Sequence, residues 1–201
     1  MSSVLEALMS KIDTPTLQRL ASEVGIDNNA APAAVQNSVA TVLGALTRGA
    51  TNPKTAQSLH GLLNSADQQD DGILDDVMGF VGKMAGGQQS NPLASIFGGG
   101  AQNTMQQQLS QTSGISADSA GKLISMVAPL VLGALGREQR GKQMDLGMFQ
   151  QFLGSERQGL MTAAPAVMQG LGGMLDQDGD GDFDLSDVAK LGSKFFGGSK
   201  G

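Results

Sequence analysis

The sequence predicts an all-α protein, and three observations carry that expectation. The apolar mass comes from Leu, Val, Ala, Met and 7 Phe, with aromatic content only 3% and neither Trp nor Tyr. Ala and Leu favour helix, and β-branched and aromatic residues are too sparse to sustain a sheet. Apolar residues recur at three- and four-residue spacing in most segments, and residues that start and stop helices stand between them. At 201 residues the chain is long enough to bury a core.

Taken in order, Val4 to Ile12 places Val4, Leu5, Leu8, Met9 and Ile12 on one face of a short amphipathic helix. A second helix begins at Thr14 with Pro15 in its first turn, presents Leu17, Leu20 and Val24, and stops at Gly25, a residue free to turn left-handed. Val35, Val39, Val42, Leu43 and Leu46 then form a broad stripe that predicts a buried helix. Asn52 caps a helix from Pro53 to Leu63, and a further helix is expected from Ile73 to Met84. The second half predicts helices over Met105 to Gln111, Ala117 to Arg137 with a kink near Pro129, Leu146 to Leu153, Leu160 to Leu175 and Val188 to Phe196.

The chain also repeats itself. V-L-G-A-L occurs at Val42–Leu46 and again at Val131–Leu135, 89 residues apart, and the same offset relates Gly25-Ile26 to Gly114-Ile115 and Ala31 to Ala120. Coincident offsets point to an internal duplication giving two related multi-helical halves. Residues 1–85 form the N-terminal half and residues 104–201 the C-terminal half. Between them, residues 86–103 are rich in Gly, Gln and Ser and read as a flexible linker.

One stretch is written for metal chemistry. An EF-hand loop needs oxygen ligands at positions 1, 3, 5, 7, 9 and 12 and glycine at 6, where the chain turns sharply around the ion. In D-Q-D-G-D-G-D-F-D-L-S-D these fall on Asp176, Asp178, Asp180, Asp182, Asp184 and Asp187, with Gly181 at position 6 and Phe183 at the inward apolar position 8. Asp182 would serve through its backbone carbonyl. Glutamate is the usual residue at 12, and the shorter Asp187 favours weaker Ca2+ binding or a share of Mg2+. A solvated acidic tail is the plain alternative. Carboxylates about 4 Å apart repel by about 4 kcal/mol at an effective dielectric of about 20, so complete ligand spacing favours a cation. A second acidic segment, Asp67 to Asp76, places Asp67, Asp71, Gly72 and Asp75 at positions 1, 5, 6 and 9, but its position 12 is Met78, which supplies no oxygen. It reads as a polar loop that caps the helix after it, a degenerate counterpart of the calcium loop at the matching end of the first half.

Composition sets further bounds. The formal net charge of −6 argues against nucleic acid and anionic membranes as partners, and no stretch of about 18 uninterrupted apolar residues predicts a membrane span. Arg137, Arg140 and Lys142 read as a solvated helix end. The absence of cysteine removes disulfides, thiol nucleophiles and cysteine-bound zinc. The N-terminus has no basic region before its apolar residues, so a cytoplasmic location is expected. His60 is the single histidine; Ser58 lies two residues away on the same helix and does not face it. With no phosphate-loop, zinc-protease or nucleophile-elbow motif, no enzyme is predicted. The 11 methionines are expected to fill the core, as the spacing of Met161, Met168 and Met174 suggests.

Two resemblances follow from these motifs. The paired helical halves with V-L-G-A-L, together with the acidic segments D-D-G-I-L-D-D and L-D-Q-D-G-D-G-D-F-D-L-S-D-V-A-K-L-G, resemble the YidB-like bacterial family of unknown function (domain of unknown function 937). That resemblance implies a helical fold and no established activity. The closing Asp187 is similar to the calcium loops of dockerin modules. The expected function is therefore a non-enzymatic, calcium-binding helical protein with a structural or protein-interaction role, its partner another protein or a second copy. Two alternatives stand beside it: a metal-independent self-assembly or scaffold module, and a calcium sensor opening a Met-lined groove.

Overall fold

A computed structural model describes residues 3–65 and 92–175, and every regular element among them is helical. Their order is α1 (Val4–Lys11), α2 (Thr14–Val24), α3 (Ala31–Gly49), α4 (Pro53–Ser65), α5 (Pro92–Ser113), α6 (Ala117–Gly141), α7 (Leu146–Ala163) and α8 (Pro165–Leu175). The residues assigned to helices Ile73 to Met84 and Val188 to Phe196 lie outside the described residues.

Local chemistry sets the boundaries. Ser3 and Glu6 form a reciprocal capping box on α1. Asp13 accepts from the Thr16 N–H at 3.0 Å, and its bonds to Thr16 hold its carboxyl below the usual range. Ser116 and Asp145 cap α6 and α7 in the same way. Gly25 and Gly114 end α2 and α5 with φ of 72° and 66°, the left-handed conformation that L side chains resist.

Around the long helices α3 and α6 lies one continuous apolar core. Val35, Val42, Leu43 and Leu46 of α3 and Leu123, Ile124, Val127, Val131 and Leu135 of α6 are fully buried in it, and residues from Val4 to Leu171 contribute. The remaining helices pack reciprocally. α2 lies on α3 and on α6, while α5 lies on α6 and on α3; α4 packs on α6 and α7 on α3; α3 meets α6, and α4 meets α7. Two polar bonds repeat this exchange, Ser119 Oγ on α6 donating to the Val24 carbonyl at 2.7 Å and Asn37 Nδ2 on α3 donating to Ser113 Oγ at 3.1 Å.

Several boundaries differ from the sequence expectations. Residues 92–103, read as the latter part of a flexible linker, belong to α5, so Gly98-Gly99-Gly100 is helical. Each glycine in a helix interior costs about 1 kcal/mol relative to alanine. Burial of Ala101, Met105 and Leu109 against the core opposes that cost. α7 continues past Leu153 to Ala163, because Phe149, Leu153, Glu156 and Leu160 make one inward face. The expected helix Leu160 to Leu175 is instead broken at Ala164, with φ −140° and ψ 61°, since a residue before proline is pushed out of the helical region. Met161, expected in the core, is 49% exposed. α6 runs on through Pro129 to Gly141. It is long and apolar enough to cross a membrane by length and composition, but 67% of its most apolar window is buried in the fold, as in the core helix of a soluble protein.

Candidate functional site

All six candidate ligands, Asp176, Asp178, Asp180, Asp182, Asp184 and Asp187, lie outside the described residues, as does the Asp67 to Asp76 segment. No group of three or more His, Asp or Glu side chains among the described residues is placed to hold a metal. The structure does describe α8, the helix whose last residue, Leu175, precedes Asp176 in the chain.

α8 is seated from three sides, packing on α3, α5 and α7. Its inward residues Val167, Met168 and Leu171 follow the helical period and are buried, Leu171 completely, as is Ala164 just before the helix. Glycine permits the close approach. A methyl group at Gly44 of α3 would stand 2.8 Å from Leu171 Cδ1 and 3.0 Å from Met168 Sδ. On the other helix, a methyl group at Gly170 would overlap the Gln108 carboxamide of α5. Gly44 is the central glycine of the first V-L-G-A-L, so one copy of the repeated motif is the seat of α8.

The sequence holds a further repeat that the spacing of V-L-G-A-L alone does not reveal. Val167-Met168, Leu171-Gly172 and Met174 match Val77-Met78, Val81-Gly82 and Met84, 90 residues earlier. Alignment on this pattern sets Gly86 opposite Asp176 and Gln88 opposite Asp178, so the acidic segment follows one copy of the α8 sequence and a Gly/Gln-rich stretch follows the other. Asp67 to Asp76 precedes the earlier copy instead.

His60 is a connector of helices. Its Nε2 faces the Met144 carbonyl at 3.2 Å, which can only accept, so Nε2 carries the hydrogen. Asn64 Nδ2 donates to His60 Nδ1 at 3.4 Å, and Gln139 Nε2 donates to Asn64 Oδ1 at 2.8 Å. The imidazole also lies 5.6 Å from the Phe149 ring, centroid to centroid. This chain joins α4 to α6 and α7. Of the basic group at the end of α6, Lys142 pairs with Glu138 at 2.7 Å and stands 5.2 Å from the centre of the Phe152 ring.

Glu156 was not singled out in the sequence, yet it is the buried carboxylate of the fold's described part. It accepts the Val4 N–H at 2.8 Å and so caps α1 from α7, at the helix end where negative charge is favourable. Burial pushes its carboxyl above the usual range, against the opposing bond from Val4, with Glu138 adding to the rise, Lys142 opposing it and Glu6 adding to it. Arg157, one residue on, is held below its usual range by burial and by the charge of Arg48. Between α1 and α6 a groove of about 90 Å³, lined by Val4, Ala7, Leu8, Lys11, Ala134, Arg137 and Glu138, is far smaller than the roughly 300–1,000 Å³ of ordinary ligand pockets.

These features define a helical domain whose last described helix, α8, is seated on glycine. The family of bacterial proteins of unknown function DUF937 matches residues 6–138, more than half of the chain, and the protein belongs to it. The match spans α2 to α5 entirely and most of α1 and α6; α7, α8 and the acidic segment lie beyond it. Neither curated proteins nor solved structures yield a match.

Proposed function

We propose that this protein is a non-enzymatic helical scaffold that binds one Ca2+ in the loop Asp176–Asp187 and serves a structural or protein-interaction role. The observation that carries the proposal is the ligand spacing: oxygen-bearing residues at all six positions and glycine at the turn. The seating of α8 supports it, because a helix packed on three neighbours offers a fixed start for the loop. The negative end of that helix also favours a cation beyond its last turn. Metal entry would neutralise carboxylates that otherwise repel one another.

The scaffold itself we read as the product of an internal duplication. Supporting this are the left-handed Gly25 and Gly114 at the same offset as V-L-G-A-L, and the equivalent burial of Leu20 and Leu109, Val35 and Ile124, and Val42 and Val131. Reciprocal packing of α2 with α6 and of α5 with α3 is the pattern of a pseudo-two-fold pair. Because the acidic loop follows only one copy of the α8 sequence, the stoichiometry is one ion per chain.

Calorimetric titration tests the metal site. An unpaired loop of this kind should bind on the order of 10⁻⁴ M, with Asp187 allowing Mg2+ to compete. Asp176→Ala and Asp187→Ala should each abolish the heat while leaving helicity by circular dichroism intact. Absence of binding by the unaltered chain at millimolar Ca2+ and Mg2+ would refute the proposal.

A further inference from the structure

We infer that α1 is an exchangeable arm, through which two copies of this chain associate by trading α1 between their cores. The proposal rests on the duplication reading above, and what carries it is one repeat unit found in two shapes. At the offset of 89, Val4 aligns with Leu93, Val24 with Ser113 and the left-handed Gly25 with the left-handed Gly114. In the first half that span is two helices, α1 and α2, parted by the extended residues Ile12 (φ −92°, ψ 99°) and Asp13 (φ −80°, ψ 172°). In the second half the same span is the single helix α5, unbroken through the aligned Ala101 and Gln102. The unit therefore has a bent and a straight form.

The residues at the hinge set which form is taken. Asp13 caps α2 through the Thr16 N–H, and Pro15 lacks the N–H that a continuous helix would use. The aligned Gln102 and Thr104 impose no such break. Proline does not forbid the straight form, since α6 runs on through Pro129. Straightening takes α1 off its bed, where it packs on α3 and α6 with Val4, Leu5, Leu8 and Ile12 buried, and where Glu156 of α7 accepts the Val4 N–H. Both apolar faces then need cover. A second copy's α1 is the occupant whose fit the fold already displays, because it makes the same contacts, the Glu156 cap included. Only the hinge around Ile12 and Asp13 changes conformation, which makes exchange a low-cost route to a dimer.

Two single variants of the full chain, Ala7→Cys and Ala134→Cys, test the exchange, because these residues line the groove between α1 and α6 from opposite helices and the chain has no thiol of its own. Mixed, equilibrated and oxidised, they should form a disulfide between chains, well above the level given by Ala7→Cys mixed with Gly154→Cys on an exposed part of α7. Light scattering of the unaltered chain should show a dimer that grows with concentration. Asp13→Gln combined with Pro15→Thr, which places the second-half residues at the hinge, should raise the association constant by about a hundredfold, the scale of the helix-interior proline penalty. An unaltered chain that stays monomeric at every concentration, cross-linking no better than the Gly154 control, or a folded hinge variant that associates no more tightly overturns the exchange. The light scattering stands even where a variant fails to fold. Unequal costs of Gly25→Ala and Gly114→Ala would remove the alignment and the exchange with it, whereas equal costs with a monomeric chain remove the exchange alone.

Discussion

Glu156 illustrates how a single residue can be hidden from sequence reasoning. It occupies a core-facing position between Leu153 and Leu160, where an apolar side chain would have extended the visible stripe of α7. A glutamate there reads as a helix end, and only the fold discloses the Val4 N–H it serves. Its raised pKa has a definite sign. The folded protein holds the Glu156 proton to higher pH than the unfolded chain, so this group's contribution to stability is fullest at low pH and declines as pH rises through the unfolded and then the folded value. Glu156→Gln retains an acceptor for Val4 without a titrating group. The stability of the unaltered chain relative to this variant should therefore fall as pH rises above the ordinary glutamate value of about 4.3, measured by denaturant unfolding; a constant difference would contradict the assignment.

At the scale of elements, helices marked by sharp local chemistry were legible and those held by packing were not. Pro15 and Gly25 bracket α2, and Asn52 and Pro53 open α4, because capping and proline geometry act within a few residues. The start of α5 and the α7–α8 break escaped notice for opposite reasons. In α5 tertiary burial overrides three consecutive glycines, whereas at Pro165 an apolar stripe continued in sequence past a backbone that could not. Gly25 and Gly114 yield a clean prediction at this scale. An added Cβ at either meets no atom within 4 Å, so Gly25→Ala and Gly114→Ala report backbone strain alone. Each should destabilise the protein by about 1–2 kcal/mol in urea unfolding. Markedly unequal costs would argue against the duplication proposed above.

For the molecule as a whole, the all-α class and the recurrence of V-L-G-A-L were readable because composition and spacing are properties of the chain itself. That α3 and α6 share one core, each covered by helices from both sides of the repeat, was not readable, since reciprocal packing leaves no local signature. The proposed metal site is legible only as a sequence pattern of six aspartate positions, while the role of Gly44 as the seat of α8 depends on which helices meet and was not readable. The DUF937 match ends at residue 138, so the seat in α3 lies inside the family region, while the helix it receives and the acidic segment after it in sequence lie beyond it. The central claim is that this scaffold carries a single metal site. Native mass spectrometry of the full chain in Ca2+ tests it most directly: the account predicts one Ca2+ per chain, lost on Asp176→Ala, whereas a chain that retains no ion, or two per chain, would contradict it.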